Sequence, residues 1–148
     1  MPDIYTPAWY DSLKDILNRS DEVVKRAPSG HWRVLAEIRG DGTSPYLELG
    51  DTKRFVLDFE DGRCTEYREL SEPPVRRDFD FTMGLPATLF EGIVANEVDP
   101  VKAGLRGEIR IVGDMRILIQ HAELVNTLRD IYARDVETTW PKGKPPYN

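Results

Sequence analysis

The hydrophobic period of this chain changes twice, and that change constrains the fold more than any single residue does. From Pro7 to Val24, apolar residues recur at three and four positions, the spacing of one helical face. From His31 to Met83 they alternate, as a pleated strand with one buried face requires. From Pro86 onward the helical spacing returns, interrupted once by a short alternating run. A block of strands between blocks of helix gives an α+β chain.

Local signals divide these blocks. Thr6-Pro7 reads as an N-cap and first helical position, so a helix is expected over 6–27, stopped near Ala27-Pro28-Ser29-Gly30. Strands are expected in "HWRVLAEI" and "PYLEL", with a turn at Gly40-Asp41-Gly42 between them. "KRFVLDF" and "RCTEYREL" flank Glu60-Asp61-Gly62, an Asp-Gly hairpin turn. "RRDFDFTM" puts Phe79, Phe81 and Met83 on one face, which completes an antiparallel meander over 31–83. Over 86–133, Pro86 opens one helix, Asn96 stops it and Asp99-Pro100 starts another turn. The strand "GEIRIVG" follows, and Asp114 then caps a last helix carrying Ile117, His121, Leu124, Leu128 and Ile131 on one face. The segment 137–148 is Pro- and Lys-rich and reads as a mobile tail. With 148 residues and no internal repeat, a single domain over 1–148 is expected.

Composition narrows the function. Twenty basic against 26 acidic residues is the wrong balance for a protein that must neutralise many phosphates, so nucleic acid is not an expected partner. No apolar run is long enough to span a bilayer, and the first residues lack a secretory signal's basic and apolar regions, so a cytoplasmic protein is expected. One cysteine, Cys64, excludes an intrachain disulfide and multi-cysteine metal sites. Nucleophile-elbow, phosphate-loop and zinc-helix motifs are absent, so neither a catalytic residue, a metal nor a cofactor is expected. Arg39-Gly40-Asp41 is ordinary turn chemistry. His121 on an inner helical face reads as a core histidine, and the paired acids Asp58, Glu60 and Asp61, or Asp78 and Asp80, read as solvated faces and turns.

The stretch "FDFTMGLPATLFEGIVANEVDPVKAGLRGEIRIVGDMRILIQHAELVNTLRDIY" resembles the sterol carrier protein type 2 family, most specifically in "DPVKAGLRGEIRIVGD". The resemblance covers about residues 75–132 well and 31–70 as a run of matching strands. It implies a mostly antiparallel five- or six-stranded sheet with helices on one face, enclosing an apolar tunnel for a fatty acid, acyl-CoA, a sterol or a related apolar metabolite. Leu105 to Val112 would then form the strand beside the tunnel, with Ile109 and Ile111 facing in.

On their pattern alone, the apolar helical faces are core in any fold. With the resemblance, part of that surface becomes tunnel wall: Phe81, Leu89, Phe90, Ile93, Val94, Leu105, Ile109, Ile111, Leu118, Leu124 and Leu128. Burying a chain of about 14 methylenes would contribute roughly 11 kcal/mol, against an association cost of about 4–15 kcal/mol. Two rival readings stand beside this carrier: a polyketide-cyclase-type enzyme with His121 or Asp80 as general base, and an accessory subunit of a larger enzyme. The chain closes in "KPPYN" rather than Ser-Lys-Leu, so peroxisomal residence is not expected. Ligand identity and oligomeric state, a homodimer included, stay open.

Overall fold

The computed structural model describes residues 1–147. Two helices, α1 (Pro7–Arg19) and α2 (Asp21–Arg26), lead into strands β1 (His31–Arg39), β2 (Thr52–Glu60) and β3 (Arg63–Leu70). A 3₁₀ turn at Arg76–Asp78 precedes β4 (Phe81–Pro86) and then α3 (Ala87–Val94) and α4 (Pro100–Leu105). β5 (Arg110–Gly113), α5 (Met115–Gln120) and α6 (Ala122–Arg134) complete the chain.

The five strands make one sheet in the order β3-β2-β1-β4-β5. β1–β2, β2–β3 and β4–β5 are antiparallel, whereas β1 and β4 run parallel, with Val34 opposite Phe81 and Ile38 opposite Leu85. The alternation therefore finds β1 to β4 but not their arrangement as a meander: β4 returns to the far side of β1 instead of extending the hairpin. At the hairpin, Asp61 and Gly62 hold φ 48° and 87°, the twist that a two-residue turn between antiparallel strands needs.

Other elements differ from expectation for local reasons. The first helix is broken at Ser20, whose N–H caps α1 on the Leu17 carbonyl while its hydroxyl accepts from the Val23 N–H to start α2. "PYLEL" is not a strand. Asp41 organises that loop, its carboxylate accepting from the N–H groups of Thr43, Ser44 and Thr88, and Leu47 is buried beneath it. These bonds hold the Asp41 carboxyl at about 2, against the burial that would raise it. Asp99 caps α4 as read, but α4 runs on to Leu105 and β5 starts only at Arg110. The last helix is interrupted at His121, so α5 and α6 are separate.

Residues 137–147, read as a tail, lie against the body. Trp9 Nε1 donates to Thr138 Oγ1 at 2.9 Å, Tyr46 Oη to the Gly143 carbonyl at 2.7 Å, and Tyr147 Oη to Glu91 Oε1 at 2.6 Å. Apolar anchors at Trp140 and Pro145 explain why a polar segment packs.

The inner sheet face carries the core. Tyr10 of α1 packs on Phe55 and Tyr67, with ring centroids 5.4 and 5.9 Å away. On the outer face, Leu35 and Val56 are fully buried without a covering helix. Arg33 pairs with Asp58 at 3.1 Å, and both Arg54 and Arg76 pair with Glu37, so arginine stems screen that apolar pair from water. Asp58 and Glu37 are accordingly buried and paired, not solvated.

Candidate ligand cavity

Between the inner face and the helices lies a cavity of about 310 Å³. Strand alternation supplies one wall: Val34, Ala36 and Ile38 from β1, Phe55, Leu57 and Phe59 from β2, and Phe81, Met83 and Leu85 from β4. Helical spacing supplies the other: Phe90, Ile93 and Val94 from α3, Ile117 and Leu118 from α5, and Leu124, Val125, Leu128, Arg129 and Tyr132 from α6.

One end is closed by aromatic rings. Phe90 stacks on Tyr5 at 5.9 Å, meets Trp9 edge-on at 6.2 Å and tilts against Phe55 at 5.6 Å. Phe55 stacks in turn on Tyr67 at 5.7 Å. Few polar groups reach the cavity. The hydroxyls of Tyr67 and Tyr132 hydrogen-bond each other at 2.8 Å, and burial pushes both phenols well above their ordinary range, so neither ionises near neutral pH. His121 and Arg129 are the remaining polar lining residues.

Nine of the eleven expected wall residues line this space: Phe81, Phe90, Ile93, Val94, Ile109, Ile111, Leu118, Leu124 and Leu128. Leu89 packs against the core beside it. Leu105 is a correction: it ends α4 and is 84% exposed, because the helix continues where a strand was expected. Sequence reasoning missed the β1 and β2 walls, Met83 and Leu85 of β4, Tyr67, and Ile117, Val125, Arg129 and Tyr132 of the last two helices. The β1 residues stood in its alternation, and Arg129 lies eight positions after His121, two turns along the same helical row.

Of the two candidate bases, Asp80 lies off the cavity and accepts the Arg33 N–H at 2.8 Å. His121 lines it, but its imidazole has no hydrogen-bond partner among the described residues to orient it as a general base. Cys64 is buried against α1, where Asn18 brackets its backbone, and burial pushes its thiol up to about 11, so it is no nucleophile.

An apolar cavity between a five-stranded sheet and a helical lid coincides with a sequence match to the SCP-2 sterol transfer family over residues 35–126. The chain belongs to this family. A crystal structure of sterol carrier protein 2 is similar at 20% identity, covering 91% of this chain and all of that one, with a TM-score of 0.75. A conserved hypothetical protein of Thermus thermophilus is similar at 19% identity, covering 95% and 94%, with a TM-score of 0.73. Sterol carrier protein 2 from Yarrowia lipolytica, in its apo form, shares 16% identity over 85% and 89%, with a TM-score of 0.53. No curated protein matches significantly. These likenesses establish the fold. No helix among the described residues is long and apolar enough to cross a membrane.

Proposed function

We propose that this family member is a carrier holding one fatty acyl chain, as a fatty acid or acyl-CoA, in the cavity beneath α5 and α6. The observation that carries the reading is the lining itself: twelve strand positions and the faces of three helices converge on one space with almost no polar atoms. At about 30 Å³ for a methylene-sized group, 310 Å³ accommodates about ten carbons.

The smaller count also revises the energetics. About ten buried methylenes contribute roughly 8 kcal/mol, and an association cost of at least about 4 kcal/mol leaves the chain alone near millimolar. Useful affinity therefore asks for a further contact.

Native mass spectrometry and displacement of a fluorescent fatty acid test the proposal. Expected is uptake of one ligand, with affinity rising along a series of acids to about ten carbons and then levelling. No uptake up to about millimolar ligand across that series contradicts it.

A further inference from the structure

α6 turns two rows of side chains toward the cavity. Leu124, Leu128 and Tyr132 form one row, and Tyr132 reaches the hydroxyl of Tyr67 on the sheet. Val125 and Arg129, one turn apart, form the other, with His121 one turn before them. This second row lies on the flank away from α2, since Thr127, on the opposite flank, is buried and receives Arg26 Nη1 at 2.8 Å. Val125 lines the cavity and is also 38% exposed. The second row is thus the rim where the cavity meets water.

Arg129 is the single charged side chain in the lining among the described residues. Its Nε and Nη2 both point to Asp130 Oδ1 at 3.3 Å, and its Nη1 has no partner among those residues. Asp130 is shared, because Arg134 Nη2 approaches its other oxygen at 3.9 Å. Two guanidiniums over one carboxylate leave a positive balance at the rim, and two turns away along the same row His121 lines the cavity with no hydrogen-bond partner among the described residues.

Resting on the carrier reading above, we propose that Arg129, assisted by His121, reads the ligand's head group. The ligand class is then a singly charged anionic amphiphile, its carboxylate at the rim and its chain directed toward the aromatic end. A guanidinium suits this role because its planar N–H groups match a carboxylate and stay charged at any working pH. A charge-assisted hydrogen bond strengthens binding by about tenfold or more. That is the contact the short chain needs.

Decanoate and decanol share a chain and differ in head group, so isothermal titration of both into the full chain separates the two ideas. Decanoate is expected to bind about tenfold tighter or more than decanol. Arg129→Gln should remove most of that advantage and leave decanol unchanged, Arg129→Lys should restore part of it, and His121→Gln should cost decanoate about two- to threefold. Melting curves identify a misfolded variant, in which case Arg129→Lys and the wild-type comparison still decide. Equal binding of decanoate and decanol by the wild type, or an Arg129→Gln loss shared by both, overturns the head-group assignment and leaves the carrier standing. Failure of both ligands to bind overturns the carrier reading and this inference with it.

Discussion

A Cβ built on Gly113 would lie 2.3 Å from a ring carbon of Phe81 and 2.6 Å from the Asp80 carbonyl oxygen, and the backbone there holds φ +153°. The ring could swing aside, but the carbonyl belongs to the chain entering β4, so relief requires the two strands to part. Gly113→Ala should therefore cost about 1–3 kcal/mol, the range for overpacking a tight site, and lower the melting midpoint by about 2–12 °C. An unchanged midpoint would show that the corner is not tight. Phe90 makes the converse case, because it lines the cavity while touching three other aromatic rings. Truncation forfeits those contacts as well as cavity wall, so Phe90→Ala should cost about 3 kcal/mol, close to an ordinary core phenylalanine. It should also lengthen the preferred acyl chain by about three carbons at ~30 Å³ each. Denaturant unfolding and a chain-length series measure the two effects.

Among the elements, those specified by a few adjacent residues were legible, and those that depend on distant pairing were not. The β2–β3 hairpin follows from Asp61-Gly62, the start of α4 from Asp99-Pro100, and the start of α5 from Asp114, whose carboxylate accepts the Arg116 N–H at 3.0 Å. The parallel β1–β4 pairing is a long-range contact that no period reports. "PYLEL" alternates like a strand, yet the neighbouring Asp41 supplies the loop with the hydrogen bonds a strand would otherwise provide. The cavity residues of α3, α5, α6 and the β5 segment were legible because the helix and strand periods there fix which face is apolar. The rim was not, since an arginine on an apolar face carries no mark of whether it meets solvent or ligand. The break at Ser20 is testable at this scale: one hydroxyl starts α2, at 3.3 Å from the Val23 N–H. Ser20→Ala should destabilise by about 1 kcal/mol, read from urea unfolding. A loss near zero would mean that packing of Val23, which is fully buried, holds α2 by itself.

Across the whole molecule, Glu91 joins segments that are far apart in sequence. It is fully buried, and its Oε2 accepts from Tyr5 Oη at 2.5 Å and Ser44 Oγ at 2.9 Å while its Oε1 accepts from Tyr147 Oη at 2.6 Å. The N-terminal segment, the β1–β2 loop, α3 and the C-terminal segment thus meet on one carboxylate. Burial raises its pKa above the ordinary carboxylate value, outweighing the three hydroxyls that favour the ionised form. A group whose folded pKa lies above its unfolded one binds protons more readily in the native state. Its contribution to stability is therefore full below the unfolded pKa of about 4.3 and declines as pH rises through the folded value. Asp41, the nearby carboxylate, is held at about 2 and stays ionised throughout that window, so it does not confuse the reading. Glu91→Gln removes the titration while keeping the shape. The stability of wild type relative to Glu91→Gln should be greatest below the unfolded pKa of about 4.3, fall as pH rises through the folded pKa and level beyond it, with the titrations of all other carboxylates cancelling in the difference. Tyr147→Phe removes a donor to the ionised form, raises the folded pKa further and should carry the same decline to higher pH. Urea unfolding of the three proteins at several pH values measures this. A difference that is flat across the window, or that grows toward neutral pH, would mean the three hydroxyls outweigh burial and hold Glu91 ionised at no cost to the fold.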